Sequence, residues 1–442
     1  MPAALATITP SRIAAAETLA DVRGGALLDH AFDRRATQLD PRDRRWTQEL
    51  CWGMLRKRGW IDAILATRTT GGLSTLDPEI VDLLRLGVYQ LLEMGSVPPY
   101  AAIGQTVELA KRRHGLGASK LVNAVLRRVD REREALLPAA PTDPIDALAL
   151  EFSHPRWLVA RWVARWGADE TRALLAANNT EAPMIVRPWG MVREQLEAML
   201  EADGVSVADA PLVADSIQLG AGTALRGLAA FRDGRCFVQD PAATLVVRYA
   251  AVPVGARVAD LCAAPGGKAV ELARTAGEVI AADSSERRLT RVEETVARLG
   301  LETVTPIVLD AREAASLAPC DVVLVDAPCT GTGTFRRHPD ARWRLKPSDL
   351  AVMAATQRAI LRAAAGAVAP GGLLIYSTCS LEPEENDAQV ESFLADHPDW
   401  TLDPPPAGTV PATVLDAGRL RVLPQRHGTD GSFAARLRRG PV

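Results

Sequence analysis

From Ala256 onward, short apolar runs alternate with helical patterns, and this alternation constrains the chain more than any other feature. Ala256 to Leu261, Glu278 to Ala282, Val304 to Leu309, Asp321 to Val325 and Leu373 to Tyr376 read as strands, whereas Lys268 to Thr275, Glu286 to Leu299 and Leu350 to Ala367 carry apolar residues at helical spacing. Strands separated by helices run parallel through crossovers, which puts a ligand site at their carboxyl ends. Leu420 to Leu423 and Ser432 to Arg438 read as an antiparallel pair added at one edge.

Upstream the pattern is different. From Ser11 to Glu134 the apolar residues recur at three and four, as in Leu50, Met54, Leu55, Ile61 and Ile64, with no alternating stretch. This predicts an all-α domain over residues 8–136. Three prolines within 137–144 predict a linker over 137–149, because proline cannot continue a helix. Residues 150–236 then read as a small subdomain. It has a helical part in which Trp157, Trp162 and Trp166 sit at near-helical spacing, followed by short strands such as Met184 to Arg187. Core packing is the expected role of these tryptophans. The α/β domain occupies 237–442. A chain of 442 residues exceeds the roughly 250–300 at which single cores stop growing, so several domains are required.

The six cysteines form no Cys-x-x-Cys pair, which argues for reduced thiols and against a disulfide framework or structural zinc site; no metal is expected. No apolar run approaches the ~20 residues of a membrane span, and the first ten residues lack a basic start, so a cytoplasmic protein is expected. The net charge of −3 hides an asymmetry: residues 1–140 hold 20 Lys/Arg against 16 Asp/Glu. Any nucleic-acid contact must therefore use local basic patches. Candidates are Arg42 to Arg45, Lys111 to His114, Arg127 and Arg128, and above all the loop from Thr330 to Arg344. That loop combines Phe335, Arg336, Arg337, Arg342, Trp343 and Arg344, a mixture suited to single-stranded RNA.

The chemistry concentrates at strand ends. Asp260 to Lys268 follows one strand and opens a helix; within it Cys262, Ala263, Ala264, Pro265, Gly266, Gly267 and Lys268 form a glycine turn whose backbone can approach a ligand. It is no phosphate loop, since Ala269 stands where Ser or Thr is needed, and it lacks Gly-x-Gly-x-x-Gly. Asp283, Asp310 and Asp326 close the next three strands, where carboxylates can accept from ribose hydroxyls and an adenine amine. Cys329 in Asp-Ala-Pro-Cys and Cys379 in Ser-Thr-Cys-Ser occupy corresponding positions after two strands. A proline and acids at 382–385 predict a helix start whose amides favour the Cys379 thiolate. Such a thiolate can attack a pyrimidine whose carbon 5 is too unreactive to take a methyl group unaided.

Together these motifs resemble the RsmB (Sun/Fmu) family of bacterial RNA 5-methylcytosine methyltransferases. The likeness extends to His154 to Trp157, Asn178–Asn179 and Phe237 to Pro241, while 11–134 look like the helical RNA-binding domain of the antitermination factor NusB. The resemblance implies a Rossmann-like class I methyltransferase domain using S-adenosylmethionine, contacted by Cys262 through Lys268 and by Asp283, Asp310 and Asp326. It makes Cys379 the nucleophile on carbon 6 of cytosine, Cys329 the residue that assists product release, and Asp326 a cytosine contact. The implied partner is 16S ribosomal RNA, free or partly assembled, with no DNA, no membrane and a monomeric enzyme. Alternatives are another RNA (tRNA or 23S rRNA), a DNA enzyme using Cys329 as nucleophile, or an inactive RNA-binding assembly factor.

Overall fold

The structure is a computed structural model that describes residues 8–136 and 141–441. It divides into two compact units, one holding residues up to Asn179 together with His338–Arg344, the other Thr180–Arg337 with Leu345 onward.

The first unit is helical: Pro10–Arg23, Leu28–Arg35, Pro41–Arg56, Arg58–Ala66, Pro78–Leu92 and Pro99–Arg131, then Pro144–Glu151, Arg156–Trp166 and Ala168–Asn178. Several of these starts are written in the sequence as Asp-Pro. Asp40, Asp77 and Asp143 each accept a hydrogen bond from an amide of the first turn, and the proline that follows supplies a helical φ without wasting a donor. The linker expected over 137–149 is corrected by the same chemistry. Residues 137–140 lie outside those described, but Pro144 begins a helix rather than preventing one. Leu50, Met54, Ile61, Ile64, Leu84, Val88 and Leu126 form the buried centre of the unit, and Trp162 is fully buried, as core packing requires.

The second unit contains two sheets. The small one is antiparallel, with strands β1 (Ile185–Pro188), β2 (Val207–Asp209), β3 (Ile217–Leu219) and β4 (Cys236–Val238) in the order β2-β3-β1-β4. Leu196 and Leu200 of helix Arg193–Ala202 join Val186 and Ile217 in its core. The large sheet has β5 (Arg257–Leu261), β6 (Glu278–Asp283), β7 (Val304–Val308), β8 (Cys320–Asp326), β9 (Val368–Thr378), β10 (Trp400–Leu402), β11 (Leu415–Asp416), β12 (Arg419–Val422) and β13 (Ser432–Arg439). Its order is β11-β12-β13-β9-β8-β5-β6-β7, with β10 beside β13. The five strands from β7 to β9 are parallel, and β13 runs antiparallel against β9. Both faces are covered, as a parallel sheet demands: Val258, Val279, Leu324 and Ile375 point into one apolar cluster, Leu261, Val323, Val325 and Tyr376 into another.

The loop after β8 departs from its expected role. Phe335 is fully buried, and Arg336 and Arg337 are both clamped on the same two acids, Asp430 and Asp240, at 2.5–2.9 Å. Arg342 is fully buried within the helical unit, donating to Asn179 Oδ1 at 2.7 Å and to the Asn178 carbonyl at 2.9 Å, and Trp343 Nε1 donates to the Leu55 carbonyl. These side chains hold the protein together rather than waiting for RNA. His338 and Arg344, 44% and 37% exposed, remain open to solvent. Replacing Arg336 by Ala would leave Asp240 and Asp430 with Arg337 as their remaining guanidinium partner, a loss of about 1–3 kcal/mol. Thermal unfolding of Arg336→Ala should therefore show a clear drop; an unchanged melting temperature with weakened RNA binding would restore the RNA-binding reading of the loop.

Candidate active site

The carboxyl ends of β5, β6, β8 and β9 carry the site. After β5 the chain turns sharply: Cys262 adopts φ 72°, the Ala263 amide donates to the Ala282 carbonyl at 2.8 Å, and Gly266 at φ 105° starts helix Gly267–Leu272. A left-handed φ of that size is cheap only for glycine. The turn is latched from outside by Gln239, whose Nε2 donates to the Gly267 carbonyl at 2.8 Å. Sequence reasoning placed Gln239 in a lead-in segment and missed this role; its amide side chain next to a helix-capping Asp240 was the available signal.

Lys268 points back over the strand ends and pairs with Asp326 at 2.7 Å. Burial pulls the Lys268 pKa down, but Asp326, Asp260 and Cys379 together carry it above the ordinary lysine value. The ammonium is thus the cation that the Cys379 sulfur feels. Asp326 also accepts from Ser377 Oγ at 2.9 Å, across the β8–β9 ladder in which these two residues are opposite. Asp283 is almost fully buried at the end of β6 and accepts from the Ser285 amide and from Arg288, while the Ala264 amide approaches it at 3.4 Å. Asp310 stands apart: it caps its own turn and is gripped by Arg312, which holds its carboxyl down at about 2.

Cys329 and Cys379 meet, with their sulfurs 3.3 Å apart. Close backbone contact makes this possible, since the Gly333 amide donates to the Cys379 carbonyl at 2.9 Å and a Cβ on Gly333 would lie 2.7 Å from that oxygen. The hydrogen bond with Cys379, burial and the charge of Cys379 raise the Cys329 pKa well above the usual thiol value. Cys262 is likewise pushed up to about 12, mainly by burial, which leaves it a neutral lining group. The helix start expected just after Cys379 is displaced: a single 3₁₀ turn at Pro383–Glu385 intervenes and the helix begins at Asp387. The turn residues are consumed instead by side-chain bonds, such as Thr378 Oγ1 to Asn386 Oδ1 and Asn386 Nδ2 to the Ser380 carbonyl, so Lys268 rather than a helix end supplies positive charge.

Asp260 lies beneath this group, fully buried, with neither carboxyl oxygen hydrogen-bonded among the described residues. Burial, then the nearby Asp326, push its pKa up to about 8. A buried acid short of donors, ringed by Asp283 and Asp326, fits a ligand with cationic centres and polar hydroxyls. S-adenosylmethionine, with its sulfonium, ammonium and ribose, has that character.

Comparison with known proteins agrees. Residues 252–438 match the model of the 16S rRNA methyltransferase RsmB/F family, 9–131 match the NusB family, and 154–226 match the ferredoxin-like domain of RsmF/B-like methyltransferases. The chain is 36% identical to the ribosomal RNA small subunit methyltransferase B of Pseudomonas syringae pv. tomato, covering 96% of each. It is 34% identical to the probable ribosomal RNA small subunit methyltransferase B of Bacillus subtilis, covering 92% of each. The chain belongs to the ribosomal RNA small subunit methyltransferase B family. Among solved structures, that of PH0851 superposes with a TM-score of 0.82 at 28% identity over 98% of this chain and 100% of that one. A methyltransferase homolog from Pyrococcus horikoshii gives 0.58 at 27% identity, covering 68% and 99%. The expected NusB-like helical domain and Rossmann-like methyltransferase domain, whose donor is S-adenosylmethionine, are therefore present, and the small middle subdomain is identified as ferredoxin-like.

The Asp260 environment has a measurable signature. An aspartate in the unfolded chain ionises near 4, so between pH 4 and pH 8 the folded state holds a proton that the unfolded state has lost, and stability falls as pH rises through that window. Asp260→Asn cannot titrate. Its loss of stability from pH 5 to pH 8 should be smaller than that of the parent, by up to about 1.4 kcal/mol per pH unit. Melting curves that shift in parallel for the two proteins across this range would contradict the assignment.

Proposed function

We propose that this chain methylates carbon 5 of a cytosine in 16S ribosomal RNA with Cys379 as the attacking group, and that it does so as a cytoplasmic monomer on free or partly assembled RNA rather than on DNA. The observation that carries the residue roles is the convergence of two thiols, 3.3 Å apart, at the end of a parallel sheet beside a half-buried Lys268–Asp326 pair. When bound, S-adenosylmethionine supplies an electrophilic methyl group; the residues that would hold it are Cys262 through Lys268 in the glycine turn, Asp283, Asp310 and Asp326, with Asp260 below them.

The remaining work falls to the protein. The Cys379 thiolate, facing the Lys268 ammonium, adds to carbon 6 of the ring, which shifts the electron pair of the 5,6 double bond to carbon 5 and makes that carbon nucleophilic. Asp326, held by Lys268 and Ser377, hydrogen-bonds the ring as charge develops on it. Completion requires loss of the carbon-5 proton and cleavage of the sulfur–carbon bond, so that the electron pair of the broken C–H bond restores the double bond as Cys379 leaves. Cys329 suits the first task because of timing. Its high pKa owes most to the hydrogen bond with Cys379, and that contribution is gone once the Cys379 sulfur is bound to carbon 6. Presenting a cytosine to these sulfurs takes it out of any stack at a few kcal/mol, which favours an exposed RNA segment.

Within the helical unit Arg42, Arg45, Lys111, Arg112 and Arg127 are exposed and supply cationic surface for RNA, while no described helix is long and apolar enough to cross a membrane. Cys379→Ala should abolish methyl transfer to 16S rRNA. Cys329→Ala should instead accumulate an enzyme–RNA adduct that survives denaturing electrophoresis. If Cys329→Ala were the inactive variant and Cys379→Ala the one that trapped RNA, the roles would be reversed and the chemistry would be that of the DNA-type enzyme.

A further inference from the structure

Neither cysteine is held by a partner of its own strand alone. Each is followed by a hydroxyl residue, Thr330 after Cys329 and Ser380 after Cys379, and both hydroxyls donate to one oxygen of the same carboxylate, Glu385 Oε2. The other oxygen, Oε1, accepts from the Thr330 amide at 2.9 Å and from Gln357 Nε2 at 3.0 Å. Gln357 reaches on to the Pro328 carbonyl at 2.9 Å, so the residue before Cys329 is tied to the same point as the residue after it. Glu385 is fully buried, and its own carbonyl accepts from Tyr376 Oη of β9 at 2.6 Å. Four donors converge on two acceptor oxygens; none of them comes from the turn that bears Glu385.

We propose that Glu385 is the positioning residue that joins the two cysteine loops and sets the distance between their sulfurs. This rests on the reading of Cys329 and Cys379 as a working pair, but it concerns a group that touches neither RNA nor methyl donor. The loops after β8 and β9 share only a few backbone bonds, such as Gly333 N–H to the Cys379 carbonyl, and the Leu381 amide donates to Thr332 Oγ1. A single buried carboxylate that takes both hydroxyls fixes them together. Glutamine is the instructive replacement: its amide oxygen can retain the two N–H donors, and hydroxyl groups can rotate to accept from its NH₂. Alanine removes every bond at once.

The test uses the full-length protein and a ruler independent of catalysis. Diamide oxidises two neighbouring thiols to a disulfide and is itself reduced to the hydrazine, so the rate of Cys329–Cys379 bond formation, followed by mass spectrometry of the linked peptides, reports how often the sulfurs meet. Glu385→Ala should slow this rate and lower kcat by at least about tenfold each, as sub-ångström misplacement of reacting groups does. KM for S-adenosylmethionine should stay within about twofold, because binding of the donor is not what Glu385 arranges. Glu385→Gln should recover most of both losses. The proposal is overturned if Glu385→Ala leaves the disulfide rate or kcat near the parent value, if KM and kcat collapse together, or if glutamine is no better than alanine. Should Glu385→Ala fail to fold, Thr330→Val removes one of the two hydroxyl donors and must give a smaller loss in the same direction, with no loss counting against the idea. Failure of the underlying cysteine roles would show separately, as methyl transfer persisting in Cys379→Ala.

Discussion

Parallel pairing of β8 with β9, with Asp326 opposite Ser377, is the constraint on which the site depends. Parallel strands end on the same edge of a sheet, so two loops fifty residues apart in sequence leave from neighbouring points. Cys329 lies three residues beyond Asp326 and Cys379 two beyond Ser377, and the register sets how closely they approach. A slip of one residue would exchange inward and outward side chains along β9 and move Tyr376 out of its cluster. Packing of the sheet and geometry of the thiols are therefore one property. The antiparallel addition of β13 against β9 protects that register, since six residue pairs from Phe433 to Arg438 fix β9 on its other side.

Electrostatics follows from the same arrangement. Strand ends of a doubly covered sheet are poor in water, and the chain places Asp260, Asp283 and Asp326 there with Lys268 as the near cation. Arg288 offsets Asp283 from the outer side, leaving Asp260 as the group with no protein donor. Burial of like charges without full pairing costs stability, and proteins retain it where a ligand later makes up the difference. A cationic sulfonium donor suits such a place. Asp310, half-buried and paired to Arg312, adds little to this field and serves as an outer contact.

The parts of the fold governed by short-range rules were legible in the sequence. Strand positions from Arg257 to Asp326 followed from apolar runs, helix Glu286–Leu299 followed from its spacing, and the cysteines were found because each closes a strand. What escaped depends on partners far along the chain. The arginines of the 330–344 loop have the composition of an RNA-binding segment, and nothing local says that Asp240 and Asp430 neutralise two of them or that Arg342 is buried on Asn178 and Asn179. Lys268 was legible as a member of the glycine turn but not as the cation facing Cys379, because that relation crosses three strands of the sheet. The helix expected directly after Cys379 failed for a related reason: Thr378, Ser380 and Asn386 bond one another through side chains, and those bonds hold the turn out of helical form.

Two sulfurs at 3.3 Å do more than one nucleophile needs, and the excess separates the two halves of the reaction. A lone thiolate can add to a pyrimidine and leave it, but it cannot also take a proton from the neighbouring carbon while bound. A second thiol in contact with the first solves this only if it stays protonated during attack, when a second thiolate would repel the first. Contact with Cys379, burial and the nearby Glu385 carboxylate all raise the Cys329 pKa, so Cys329 is the sulfur that keeps its proton. In the proposed reaction, addition of Cys379 to the ring removes the largest of those influences and frees Cys329 to ionise. On the proposed roles, the order of events rests on the contact between the thiols, and any change that lengthens it weakens both halves of the reaction.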